Sequence, residues 1–106
     1  MTTPAPPLCT PTEQAQVPAL ARLRFVVQGQ VQGVGFRPFV FVLAEELGLT
    51  GFVHNTALGV VIEVQGQAAY TTAFARGLHD RLPPLARVTH CTQESLSPVL
   101  GESSFV

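Results

Sequence analysis

The apolar residues of this chain switch between two periods, and the order of the switches leaves few folds open. Leu23, Phe25 and Val27 alternate with Arg22, Arg24 and Gln28, the period of two that a half-buried strand shows. A glycine-punctuated stretch, Gly29-Gln-Val-Gln-Gly33-Val-Gly35-Phe36, follows. Beyond it Phe36, Val40, Leu43 and Leu47 fall within one narrow arc of a helix. The helix is expected to begin near Arg37, because Pro38 suits the first helical position. Gly48 is expected to stop it, since glycine accepts the left-handed conformation that ends helices.

The rest of the chain repeats the scheme. A second strand is expected over 51–55, a turn at Thr56-Ala-Leu-Gly59, and a third strand over 60–65 with Val60, Ile62 and Val64 alternating against Val61, Glu63 and Gln65. A second helix is expected over 67–82, with Tyr70, Phe74 and Leu78 spaced four apart and Pro83-Pro84 ending it. A fourth strand is expected over 86–95, and Ser103 to Val106 reads as the start of a fifth. The order β-α-β-β-α-β packs naturally as an antiparallel sheet with both helices on one face. That is the ferredoxin-like sandwich of the α+β class.

Ahead of this unit, residues 1–20 carry five prolines and little periodic apolar content. They read as a disordered leader to a domain at 21–106, because proline suits neither ladders nor helix interiors. The 106 residues leave room for one modest core. A net charge of −1 argues against nucleic-acid binding, which draws on a basic field to displace counterions. No apolar run approaches the roughly 20 residues of a membrane span, and no basic region followed by an apolar one opens the chain. The cytoplasm is the expected location. Cys9 and Cys91 read as two free thiols, with Cys91 packed in the core, and the absence of a C-x-x-C pair leaves a structural zinc site without support.

Chemistry is concentrated in the glycine stretch. Its glycines let successive N–H groups face one point, and the start of a helix adds unpaired N–H groups and the positive end of a dipole. Arg37 sits at that helix start. All six basic residues are arginines, the side chain best suited to gripping an anion through two parallel hydrogen bonds. The stretch lacks G-x-x-x-x-G-K-[ST], which excludes a nucleotide P-loop. Asn55 closes the second strand, and its amide offers the donor and acceptor needed to hold a water, although asparagine also simply favours turns. His54, His79 and His90 lack metal-ligand spacing, and Glu45 and Glu46 read as a solvated helix face. An arginine, a nest of amides and an asparagine suit binding or hydrolysis of a reactive phosphate without a side-chain nucleophile.

Gly29-Gln-Val-Gln-Gly-Val-Gly-Phe-Arg37 followed by Gly51-Phe-Val-His-Asn55-Thr resembles the signature of the acylphosphatases. The resemblance implies that Val31, Gln32, Gly33, Val34, Gly35 and Phe36 bind phosphate with Arg37. It also implies that Arg37 and Asn55 are the catalytic pair, with Asn55 orienting water, and that no metal takes part. Phe36-Arg-Pro-Phe-Val40 and Pro83-Pro-Leu-Ala-Arg-Val88 look like the first domain of the HypF family of carbamoyltransferases, which serve nickel-iron hydrogenase maturation. That likeness implies a fragment of a larger protein that acts on carbamoyl phosphate and releases carbamate to later domains. It implies ATP and zinc in those domains, none of them cofactors of this one, and a carbamoyl-acceptor maturation protein as partner. Two other readings stand beside it: a free-standing acylphosphatase for small acyl phosphates, and a module that binds a phosphate compound or a partner without turnover. Phe41 and Val42 lie off the core arc of the first helix, and an exposed phenylalanine there reads as a contact for a missing remainder.

Overall fold

A computed structural model describes residues 20–106; residues 1–19 of the expected leader, Cys9 among them, fall outside the described residues, and Leu20 belongs to the first strand. The elements follow in the expected order. They are β1 (Leu20–Gln30), α1 (Phe36–Glu46), β2 (Thr50–Thr56), β3 (Gly59–Gln67), α2 (Ala68–Asp80) and β4 (Arg87–Leu96). The four strands form one antiparallel sheet in the order β2-β3-β1-β4. β1 and β2 both pair antiparallel with β3, so they run the same way, and their C-terminal ends lie at one end of the sheet.

Both helices cover one face. Phe25 and Val27 of β1 and Val60, Ile62 and Val64 of β3 meet Phe36, Val40, Leu43 and Ala44 of α1 and Phe74 and Leu78 of α2 in a single core. Leu47 packs partly against it. The helices approach closely at Gly77, where a Cβ would lie 3.0 Å from both methyls of Leu43. An exposed ion pair, Arg81 to Glu46 at 2.9 Å, joins their C-terminal ends.

Four details depart from expectation. Helix α1 starts at Phe36 and places Pro38 third. The first four N–H groups of a helix have no partner one turn back, so a proline fits there equally well. Tyr70 is 46% exposed and Thr71 takes its place in the buried stripe. On the helical wheel Tyr70 lies about 40° from Phe74 and buried Thr71 about 60° from it on the other side, so spacing alone does not separate the two. Cys91 is exposed, because β4 is an edge strand that neither helix covers. Arg22, expected in solvent, is 3% exposed.

The last departure reflects residues 97–106, which follow β4. They cross the helix-free face and then pair alongside β2. Phe105 makes a parallel bridge with Gly51, and its ring is buried in the core. The expected fifth strand is therefore a short parallel segment on the outer edge of β2. Phe41 stacks edge-on to Phe105 at 5.7 Å and is still 36% exposed, with Val42 beside it 53% exposed. No helix among the described residues is long and apolar enough to cross a membrane.

Candidate functional site

The loop between β1 and α1 anchors its apolar side chains inward and turns its backbone outward. Val31 and Phe36 are buried at 4% and 1%, whereas Gln32, Gly33 and Gly35 are exposed. Gly33 and Gly35 hold φ of 71° and 83°, the left-handed region open to glycine at least cost. Gly35 caps α1 through its backbone alone, with its carbonyl accepting from the N–H of Phe39 at 3.1 Å. No side chain caps the helix and no acidic residue stands in its first turn. Among the described residues, the N–H groups of Gln32 through Arg37 meet no acceptor. Unpartnered N–H groups at a helix start favour an anion. Arg37 is the second residue of α1, exposed, and without an ion pair among the described residues.

Asn55 reaches the same end of the sheet by register. It pairs with Val60 on β3, which pairs with Val27 on β1. Directly paired residues point to the same face, and Val27 and Val60 face the helices. Asn55 therefore faces the helix side, about 10 Å from Val27 across two strand spacings, at the end of the sheet from which the loop springs. Gln28 links the two halves, its amide donating to the carbonyl of Leu58 at 2.9 Å. Thr56 shapes the intervening hairpin by accepting from the Leu58 N–H at 3.1 Å and donating to the Gly59 carbonyl at 3.0 Å. Loop, Arg37 and Asn55 thus share one end and one face of the domain.

Other candidate groups lie apart. His54 follows the strand alternation to the helix-free face and stacks on Phe52 at 5.0 Å. His79 is exposed beside Asp80. Among the described residues no three of His, Cys, Asp and Glu gather into a metal-binding cluster. A cleft of about 480 Å³ opens elsewhere, between α2 and β4, with Phe25, Phe36 and Leu78 in its floor. Cys91 lines it, and desolvation there pushes the thiol upward in pKa. This cleft is lined mainly by apolar residues and lies on the β4 side, away from Asn55.

The polar cluster on the helix-free face has no local signature. Arg22 Nε donates to Glu63 at 2.8 Å, and its two terminal nitrogens donate to the two oxygens of Glu102 at 2.8 and 3.2 Å. Arg22 and Glu102 stand 80 positions apart in the chain. No periodicity or motif joins residues at that distance; only the tertiary path of 97–106 does.

The fold and the loop define an acylphosphatase domain: residues 23–106 match the acylphosphatase family, and the chain belongs to it. Within the family the chain is similar to the acylphosphatase-like domain at the N-terminus of HypF carbamoyltransferases. It is 47% identical to carbamoyltransferase HypF2 of Cupriavidus necator over 88 residues, 83% of this chain and 11% of that protein. It is 45% identical to an acylphosphatase of Arthrobacter over 78% of this chain and 75% of that enzyme. A crystal structure of full-length HypF superposes with a TM-score of 0.79 at 34% identity, covering 87% of this chain and 12% of that one. The acylphosphatase of Bacillus subtilis superposes at 0.73 with 32% identity, covering 82% of this chain and 96% of that one. The chain thus spans about a ninth of the HypF relative that it matches.

Proposed function

We propose that this domain hydrolyses acyl phosphates, with carbamoyl phosphate as its own substrate, at a site made by the 31–36 loop, Arg37 and Asn55. The observation that carries the reading is the set of unpartnered N–H groups from Gln32 to Arg37 at an uncapped helix start, on the same end and face as Asn55. The loop amides and the Arg37 guanidinium hold the phosphoryl oxygens, where charge spreads as the bond to the leaving group breaks. Asn55 accepts a hydrogen bond from water and donates one to a phosphoryl oxygen, which aims the water at phosphorus. The water oxygen bonds to phosphorus, the bridging P–O bond breaks, and the carboxylate or carbamate leaves with the electron pair. The water proton passes to phosphate. A carboxylate is a stable leaving group, so no general acid is required of the protein.

Carbamoyl phosphate is favoured over other acyl phosphates by the likeness to carbamoyltransferases. On this reading the carbamate passes to later domains that use ATP and zinc, toward a carbamoyl-acceptor maturation protein, in the cytoplasm. The likeness to free-standing acylphosphatases supports a second reading, a hydrolase for small acyl phosphates in general.

Phosphate release from carbamoyl phosphate and from benzoyl phosphate tests both readings. Arg37→Ala is expected to weaken inorganic phosphate binding and turnover together, by roughly a hundredfold or more. Asn55→Ala is expected to lower kcat by a similar factor while phosphate affinity stays within about twofold. Equal loss of binding and turnover in the Asn55 variant would sink its water-orienting role. Faster turnover of benzoyl phosphate would favour the second reading.

A further inference from the structure

Asn55 lies near the end of an edge strand, and such an end moves unless something holds it on its open side. Here that side is occupied. Gly51 and Val53 turn their N–H groups away from β3, and these donate to the carbonyls of Ser104 and Val106 at 3.2 and 3.1 Å. The Val106 N–H returns a bond to the Gly51 carbonyl at 3.0 Å. The last of these contacts is two residues before Asn55, on the same face of β2.

The segment that supplies them is clamped at two points on the way. Thr50, Gln65, Arg22 and Leu96 form one row across β2, β3, β1 and β4 at the end of the sheet opposite the loop. The chain leaves β4 at Leu96 and travels back along that row. Gln65 holds Val99 by two hydrogen bonds, accepting from its N–H at 2.7 Å and donating to its carbonyl at 2.9 Å. Glu102 then receives two bonds from Arg22 and one from Thr50 at 2.7 Å. Arg22 is almost wholly enclosed, and Glu102 is 19% exposed. A paired, fork-shaped contact of this kind fixes direction as well as distance. It sets the residue from which the strap turns the sheet edge, and hence which carbonyls meet Gly51 and Val53.

We propose that Arg22 and Glu102 are positioning residues for Asn55. Their clamp sets the register of 104–106 on β2, and that register holds the end of β2 where its asparagine can orient water. The inference rests on the reading of Asn55 given above. It concerns turnover rather than phosphate binding, because the strap pairs its backbone with β2 alone and meets β1 only at Arg22, at the end of the sheet opposite the loop, and α1 at Phe41, one turn beyond Arg37.

The test compares Glu102→Ala, Glu102→Gln and Asn55→Ala with the unaltered 106-residue chain, using benzoyl phosphate turnover and amide hydrogen exchange at Val53. Glu102→Ala is expected to lower kcat by roughly tenfold with KM within about twofold, and to speed exchange at Val53. Glu102→Gln, which keeps the shape and most hydrogen bonds, is expected to recover most of the lost kcat and to fold even where the alanine variant does not. Unchanged kcat in Glu102→Ala, with Asn55→Ala inactive, would overturn the positioning role while leaving Asn55 its own. A fall in kcat with Val53 exchange unaltered, or a rise in KM matching the fall in kcat, would overturn it too. An active Asn55→Ala would remove the reading beneath it.

Discussion

Gly29 shows how closely single atoms are set around the mouth of the loop. Its φ of 135° is open to glycine, and a Cβ there would lie 2.0 Å from the carbonyl oxygen of Arg87 on β4. The β1–β4 register shifts between Gln28 and Gly29, so the two backbones close on each other just where β1 gives way to the loop. Gly29→Ala must push β4 away or re-route the loop. It is expected to cost about 2 to 4 kcal/mol, from the forbidden conformation and the overlap together, read as a fall in urea midpoint with an unchanged m-value. The glycine is plain in the sequence; its partner 58 positions later is not, since a local pattern carries no record of which strand comes alongside.

At the scale of elements, the two helices differ in how well their spacing foretold their buried face. In α1 the arc of Phe36, Val40 and Leu43 is buried as its spacing implies, with Ala44 added and Leu47 half-covered. In α2 only Phe74 and Leu78 of the expected stripe are covered, and the small Thr71 is buried while Tyr70 is not. Hydrophobicity ranks Tyr70 above Thr71, but the helix is held on the core by Phe74 against Phe25 at 5.6 Å and by the close passage of Gly77 over Leu43, both in its later turns, and Tyr70 is only its third residue. Truncation should separate the two positions. Phe74→Ala is expected to lose about 3 to 5 kcal/mol by leaving a cavity, whereas Tyr70→Ala should stay within about 1 kcal/mol, both measured by denaturant unfolding.

Across the whole molecule, the strap of residues 97–106 makes the helix-free face part of the folded structure. Arg22 beside Glu102 holds that carboxyl below its ordinary value of 4.5, with Thr50 adding a further bond. Glu63 shares Arg22 from the β3 side. A carboxylate held lower in the folded chain than in the unfolded one stabilises the fold fully above its unfolded value, and this contribution is lost as pH falls through the folded value. The thermal midpoint of the native chain should therefore exceed that of Glu102→Gln near neutral pH. The gap should narrow as pH drops from about 5 to about 3. A gap of constant size over that range would place the contribution of Glu102 in its shape rather than its charge.

What the sequence determined by itself is what depends on neighbours within a turn or a pleat: the order of strands and helices, the inward face of β1 and α1, the glycine loop and the arginine that follows it. These follow from backbone geometry and from the period at which apolar side chains recur. Tertiary structure alone decided which distant segments share an edge or a row. It brought Asn55 across two strands to the end of the sheet that bears the loop, left Cys91 on an uncovered edge, and enclosed Arg22 beneath a segment 80 positions away. Strand order and strap path depend on how the whole core closes, because pairing energy is much the same for any two matching strands. The choice among pairings is made by the burial of Phe25, Phe36, Phe74 and Phe105 together.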